Sequence, residues 1–514
     1  MEFNDKINID FVTLRDNVLN VSGYLKCQNA KKGVDVKCNG ENVNVNSFDY
    51  PTRRDEDIYN FDFKVLVNDE NLKITINSRD DVDYPIRFRE FCNLSHFSKY
   101  FVKDNKIVYF NGSFNVRDYS YSSMLKLEAK ELIDIIKNRP SFYGQAILFR
   151  FIFLLAYPVM KNKDIWLVMD RKTMADDNAE HLFKYIKDKK DGIKKFFVLH
   201  NASPDFSRIN QLFKGQILDC DSFKHKLYYI FTKKLISSQG SEFDLNPFLN
   251  TNHQLTAGIC NLDFYFLQHG VIKDNMSSWL RKYDRNPKLI VTSTQREYES
   301  LFDEGYFYDE DVIQLLGLPR YDNLTNENVK KQIVIMPTWR NYLADKTELL
   351  SSEYYKRFNS LINNEKLIGY CKNYGYRIKF MPHPELTQYL DLFDKNDYVE
   401  IDLESRYQNV FNESCMMITD YSSIFFDFAY LKKPLIYYQY ANDYHYDAKN
   451  GYFSYKNNGF GDVIDNEEDL VDKIISYIDK GCEMEDVYKR RIDQFFTYHD
   501  HDNSKRCYGW ILKH

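Results

Sequence analysis

Apolar and polar positions alternate in short runs through the first part of the chain. Residues 11–14, 18–25, 61–67 and 72–76 are strand-like runs that carry this period-two pattern in places, and clusters of Asn, Asp and Gly separate them. Alternation of this kind predicts half-buried strands joined by tight turns, so residues 1–115 read as a small all-β, sandwich-like unit. From about residue 116 to 162 the spacing becomes helical. Residues 125–139 mix apolar with Lys and Glu positions, and residues 146–160 are almost wholly apolar around Arg150. The second stretch reads either as a buried connector or as a helix lying on a bilayer surface. It falls short of the about 20 apolar residues of a membrane span.

Beyond residue 163, short apolar runs alternate with helical stretches. Ile165–Met169, 196–200, 235–238, 264–267 and Leu289–Thr292 form one series of predicted strands. Residues 333–336, 376–380, Met416–Thr419 and 434–438 form a second, followed by the amphipathic stretch Glu467–Asp479. Strands that alternate with helices imply parallel sheets covered on both faces. Two such series predict an α/β chain with two Rossmann-like domains, 163–322 and 323–514.

Ligands of such sheets bind at the carboxyl ends of the strands. That rule selects Gln268-His269-Gly270, Pro337-Thr338-Trp339-Arg340, Pro382-His383-Pro384 and Asp420-Tyr421-Ser422-Ser423, with Gly317-Leu318-Pro319-Arg320 after another apolar run. His269 can serve as a general base, or fill a turn; Gly270 leaves room for a substrate beside the backbone. His383, stiffened by two prolines, can donate to a phosphate, or simply mark a rigid turn. Arg340 and Arg320 can grip a diphosphate with two parallel hydrogen bonds, or form interdomain salt bridges. Asp420 or Ser422 can cap the helix that follows, or the helix end and the two serines can form an anion site.

Composition narrows the function. The 514 residues carry 69 basic and 75 acidic side chains, a balance that argues against a nucleic-acid partner. Nine cysteines without a Cys-x-x-Cys pair read as reduced thiols of a cytoplasmic protein. The first residues have no apolar core of signal-peptide length. Asp219-Cys220-Asp221, the nearest thing to a metal-bridging Asp-x-Asp pair, reads as a loop, so no metal is expected.

Gln268-His269-Gly270, Pro337-Thr338-Trp339-Arg340, His383-Pro384, Thr419-Asp420-Tyr421-Ser422-Ser423 with Phe426-Asp427, and Lys433-Pro434 occur in that order. Together they resemble the CDP-glycerol glycerophosphotransferase family of teichoic acid and capsule polymer synthesis, over roughly residues 164–500. The resemblance implies a GT-B fold with an interdomain active site. It implies transfer of a polyol phosphate from CDP-glycerol or CDP-ribitol to a lipid-linked or polymeric hydroxyl, with CMP released and no cofactor. His269 would be the base and His383 a donor-phosphate contact. Arg340, Asp420, Tyr421, Ser422, Ser423 and Asp427 would hold or orient the CDP-polyol. Gln268, Gly270 and Lys273 would lie on the acceptor side, although Val271 stands where the family often has proline. Lipid-linked acceptors imply peripheral attachment to the inner membrane face through the 116–162 helices. The β-rich unit would dock polymer or a glycosyltransferase partner, and a homo-oligomer is a further expectation. A nucleotide-sugar glycosyltransferase and a non-catalytic polymer-binding scaffold are the competing readings.

Overall fold

The computed structural model describes the chain except residues 1–4, 29, 51–52, 54–56, 69–70, 81, 304, 341–342, 344 and 441–450. Its N-terminal part is two β-sheets. One orders the strands Asn46–Phe48, Ile58–Leu66, Val18–Lys26, Lys6–Arg15 and Ile86–Phe88. The other orders Glu41–Val43, Val34–Cys38, Leu72–Ser78, Phe114–Asp118, Lys106–Phe110 and Tyr100–Lys103. Lys6–Arg15 and Val18–Lys26 pair antiparallel across Asp16 and Asn17, both left-handed with φ of 51° and 59°. Two such residues make the tight turn whose twist suits a hairpin. The alternation places Ile9, Val12, Leu19, Val21 and Phe63 of one sheet against Val36, Ile74, Val108 and Val116 of the other in a single core.

Two helices follow, α1 (Tyr121–Asn138) and α2 (Tyr143–Met160). Ser120 caps α1 by accepting the Ser123 N–H at 3.2 Å. Between them lies a buried ionic cluster. Arg150 of α2 is fully buried and donates to both oxygens of Glu128 at 2.7 and 2.9 Å, and it also pairs with Glu131. The same guanidinium reaches Ser98 Oγ at 3.0 Å and the Leu255 carbonyl at 2.9 Å, while the Tyr100 hydroxyl donates to Glu128 at 2.6 Å. One side chain thus ties the β-unit, the helix pair and the next domain together, and the buried charge is fully partnered. With 18 residues, α2 is longer than the sequence suggested and is long and apolar enough to cross a membrane by length and composition. Only one of its faces is packed inside.

The rest of the chain builds two parallel sheets. The first orders Ile217–Asp219, Lys194–Leu199, Ile165–Met169, Lys234–Ser237, Asp263–Phe266, Leu289–Thr292 and Ile313–Leu315. The second orders Val399–Ile401, Arg377–Phe380, Gln332–Met336, Met416–Thr419, Leu435–Tyr438 and Asp462–Ile464. A continuous apolar cluster joins them, running from Val168, Phe197 and Tyr265 to Met417, Phe425 and Tyr437. The last helix, Asn503–Lys513, crosses back to the first sheet. Its Trp510 meets Tyr265 edge-on at 6.3 Å, Tyr508 meets Trp166 at 6.1 Å, and Asp322 accepts from Asn503 at 2.8 Å. The final residues therefore pack with the first Rossmann-like sheet, contrary to the expected 323–514 unit. Asp219, read with Cys220 and Asp221 as a loop, instead ends the edge strand Ile217–Asp219 and accepts the Asn201 N–H at 2.8 Å. Three residues are too few to show a period.

Gly258 marks the seam between the β-unit and the first parallel sheet. A Cβ there would stand 1.9 Å from the Tyr100 carbonyl oxygen and 2.7 Å from Ser98 Oγ, whereas a Cβ on Gly509 would meet open space. Gly258→Ala should therefore cost about 1–3 kcal/mol, the range for overpacking a tight contact. Gly509→Ala, inside the last helix, should gain up to about 1 kcal/mol. Urea denaturation of the two variants beside the parent checks both signs.

Candidate active site

The loops after the strands Asp263–Phe266 and Met416–Thr419 meet across the cleft between the two parallel sheets. Gly270 from the first loop faces the second: the position its Cβ would take is 3.7 Å from Ser423 Oγ and 3.8 Å from Arg320 Nη2. Gln268, just before it, is buried and left-handed with φ 63°, a strained conformation for a residue with a side chain. Asn178, at the start of α3 (Asn178–Ile186), supports that turn. Its Nδ2 donates to the Gln268 carbonyl at 2.7 Å, and its Oδ1 accepts the Arg320 N–H at 3.0 Å. The turn presents His269 to the cleft. Surrounding protein mass lowers its pKa from the ordinary histidine value; Asp177 acts against this, and Arg320 and Arg171 act with it. A histidine so placed is neutral at pH 7 and able to take a proton.

Arg320 does not point at the cleft as a free phosphate ligand. Its Nε and Nη2 grip both oxygens of Asp427 at 2.6 and 2.8 Å, and Nη1 donates to Asp177 at 2.6 Å and to the His269 carbonyl at 2.8 Å. Asp427 lies in the helix Phe425–Tyr430 of the second sheet and Asp177 caps α3 of the first, so this arginine latches the two halves. Burial raises the Asp427 pKa while Arg320 opposes that rise. Asp427 thus orients the cleft wall and has no oxygen left over for a donor. A second latch pairs Arg406 with Asp176 and, at 3.5 Å, with Glu180.

Arg340 is likewise turned inward, which corrects the expectation that it meets phosphate. It is 1% exposed, and its Nη2 donates to Asp420 Oδ2 at 2.7 Å. Asp420 is also buried: its Oδ1 accepts from Thr338 N at 2.8 Å, Thr338 Oγ1 at 2.6 Å and Tyr421 N at 2.6 Å. Asp420 therefore does not cap the following helix; its oxygens are engaged by Arg340, Thr338 and the Tyr421 N–H. It locks the Thr338 loop to the Tyr421 loop, because a guanidinium and three donors outcompete a helix end. That helix has only six residues and is capped by Ile424, with Ser422 Oγ accepting the Ile424 N–H at 3.4 Å. Ser422 is half-buried and Ser423 exposed. The Tyr421 carbonyl accepts the Tyr455 hydroxyl at 3.0 Å.

His383 lies exposed at the end of the strand Arg377–Phe380, its ring stacked 6.1 Å from Trp339. Its Nδ1 accepts the Glu385 N–H at 3.3 Å, so Nε2 carries the proton outward, as a phosphate donor requires. The protein packed around one side of the ring lowers its pKa, Glu385 opposes this, and Arg171 adds to it. Lys273 departs from expectation. It is buried, pairs with Asp274 at 2.5 Å, and lies 5.7 Å from the Tyr455 ring rather than facing an acceptor.

Four residues around the cleft escaped the sequence reading: Asp170, Arg171, Asp177 and Asn178. All follow the strand Ile165–Met169, so the strand-end rule could have found them. Asp170 is buried, binds Ser238 Oγ at 2.5 Å and accepts N–H groups of Asp177, Ala179 and Glu180 at the start of α3. Its pKa is raised, by burial first and by Asp177 second. At the far edge of the same sheet, Cys220, Asp221 and His225 bring three ligand atoms within 4.8 Å of one another. Lys172 already neutralises Asp221 at 3.2 Å, and His225 Nδ1 accepts the Asp221 N–H at 3.1 Å. That leaves the His225 proton on Nε2, which does not suit a ligand.

A profile of the CDP-Glycerol:Poly(glycerophosphate) glycerophosphotransferase family matches residues 148–513. The chain is 40% identical over 453 residues to the minor teichoic acid biosynthesis protein GgaB of Bacillus subtilis (strain 168), covering 83% of this chain and 49% of that protein. It is 27% identical over 239 residues to a teichoic acid glycerol-phosphate transferase of Staphylococcus aureus, covering 42% of this chain and 58% of that one. It thus spans about half the length of these relatives. The solved wall teichoic acid polymerase TagF superposes with a TM-score of 0.54 at 17% identity, over 77% of this chain and 97% of that one, a likeness of fold.

Breaking the Arg320 latch from either side should be costly. Arg320→Met leaves Asp427 buried without its partner and should lose about 3–5 kcal/mol. Adding Asp427→Leu should recover part of that loss. A double-mutant cycle by chemical denaturation reads the coupling directly.

Proposed function

The chain belongs to the CDP-glycerol:poly(glycerophosphate) glycerophosphotransferase family, and on that premise we propose that it moves a polyol phosphate, glycerol phosphate first, from a CDP-polyol to a hydroxyl of a teichoic acid or related polymer acceptor. One observation carries this reading: the His269-Gly270 loop of one parallel sheet opposes the Ser422-Ser423 loop of the other, across a cleft held by Arg320. Such facing sheets support a GT-B arrangement with donor bound on the second half and acceptor on the first. His269 takes the acceptor proton. The freed alkoxide attacks the phosphorus bearing the polyol, and CMP leaves with the electron pair of the broken P–O bond. His383 donates from Nε2 to the diphosphate, and Ser423, exposed at the cleft, adds a hydroxyl. The phosphate charge is met by protein groups in this scheme, so activity should survive a chelator.

The helices α1 and α2 support attachment to a membrane surface. Phe151, Leu155 and Val159 of α2 are 52%, 60% and 67% exposed, one above another at helical spacing, and Leu125, Ile133 and Ile136 of α1 are exposed too. An apolar stripe of that extent on a helix pair suits the headgroup boundary, where a lipid-linked acceptor presents its hydroxyl. The β-unit packs against these helices through Ser98 and Tyr100, and in this reading it holds polymer.

Chromatography of reactions with CDP-glycerol or CDP-ribitol and an oligo(glycerol phosphate) acceptor should show CMP and a longer acceptor. Release of a nucleoside diphosphate from a nucleotide sugar instead would overturn the reading. His269→Ala should lose at least about 100-fold in kcat, the contribution of a general base. The lowered pKa of His269 sets the pH dependence: the base is neutral above it, so the acid limb of kcat/KM should lie at lower pH than an ordinary histidine would give. Leu155→Glu with Val159→Glu should abolish flotation with anionic vesicles while leaving the circular dichroism spectrum unchanged.

A further inference from the structure

A diphosphate brings at least two negative charges into the cleft, and a partly desolvated anion needs a cation or several donors beside it. The arginines that the sequence offered for this task are committed elsewhere. Arg340 is buried on Asp420 and Arg320 is shared between Asp427 and Asp177; Arg406, which the sequence did not single out, is held by Asp176. Lys273 is paired with Asp274 and Lys172 with Asp221. Arg171 differs from all of these. It lies two residues past the end of the strand Ile165–Met169, third in a seven-stranded sheet, at the carboxyl edge where ligands of such sheets bind. The neighbouring residue Asp170 anchors this turn, through Ser238 on one side and the N–H groups of α3 on the other. The Arg171 side chain is exposed and, among the described residues, has no ion pair or hydrogen bond.

We propose that Arg171 is the cation that holds the donor diphosphate between His269 and His383, an assignment that rests on the phosphotransferase reading above. Its charge also reaches both histidines and Tyr407, lowering the pKa of each, which accords with the place that the strand end gives it. A guanidinium there offers a planar fork to two phosphate oxygens at once. In the transfer step the acceptor oxygen bonds to the polyol-bearing phosphorus and its proton passes to His269. The bond from that phosphorus to the bridging oxygen breaks, and the electron pair leaves on CMP. Negative charge therefore grows on the CMP phosphate as the bond lengthens, and a cation fixed beside it is worth more at that moment than in the ground state.

Arg171 also keeps the base neutral. The charged groups facing His269 are Asp177, which raises its pKa, and Arg320 and Arg171, which lower it; those facing His383 are Glu385 and Arg171. Removing Arg171 should therefore move the acid limb of kcat/KM to higher pH, a change that a merely structural residue would not produce.

The test compares Arg171→Ala and Arg171→Lys with the parent, all as the full chain. CMP release from CDP-glycerol with an oligo(glycerol phosphate) acceptor should show a loss of about 10²–10³-fold in kcat/KM for Arg171→Ala, the usual cost of one transition-state donor. Arg171→Lys should recover part of it and keep the acid limb in place. Calorimetric titration should show CDP bound at least tenfold more weakly by Arg171→Ala, with cytidine affinity unchanged. Activity of Arg171→Ala within threefold of the parent with an unmoved acid limb, or parallel losses for CDP and cytidine, overturns the assignment. A parent enzyme that turns over no CDP-polyol overturns the phosphotransferase reading instead, and the CDP and cytidine titrations still decide whether Arg171 grips a diphosphate.

Discussion

The cleft exists in its present shape because one guanidinium is shared by three parts of the chain. Arg320 binds Asp427 of the second parallel sheet, Asp177 at the head of α3, and the main-chain carbonyl of His269. Its own N–H is taken by Asn178, which also fixes the strained turn at Gln268. Halves, helix and His269 loop are therefore set by a single electrostatic centre. A lysine could not substitute, since only a planar fork reaches both Asp427 oxygens and still has a nitrogen for Asp177 and the carbonyl.

The same logic recurs around the cleft. Asp420 is saturated by Arg340, Thr338 and the Tyr421 N–H, and Asp170 by Ser238 and the start of α3. Each buried carboxylate is an internal fastening that leaves no oxygen for solvent. What the frame presents outward is a different set of groups: His269, His383, Ser423 and Arg171. Charged residues hold the walls, and the residues left exposed are those able to exchange a proton or meet an anion.

Sequence reasoning found the places more readily than the directions. The strand-end rule located His269, His383 and the Ser422-Ser423 turn, because a buried strand followed by polar residues is a local pattern. It could not tell that Arg340 and Arg320 turn inward, since that depends on Asp420, Asp177 and Asp427, which lie 80, 143 and 107 residues away along the chain. Arg171 also follows a strand end, where the same rule could have found it, but nothing in the sequence marks it as unpaired. Three-residue edge strands such as Ile313–Leu315 carry no readable period, and the return of the helix Asn503–Lys513 to the first sheet is a matter of topology that no local pattern encodes.

That returning helix bears on how the protein is made. Synthesis runs from the N-terminus, and domains that emerge first usually fold first. Here the first parallel sheet is built by residues 165–315, yet Tyr508 and Trp510 of the last helix cover part of the flank beside Trp166 and Tyr265. Until nearly two hundred further residues have left the ribosome, that part of the apolar flank stays open to water, to chaperones and to other nascent chains. The Asp322 carboxylate waits equally long for the Asn503 and Ser504 amides. Completion of the first Rossmann-like unit is therefore postponed until the second has been made, so that assembly of the cleft is a late, whole-chain event rather than the docking of two finished domains.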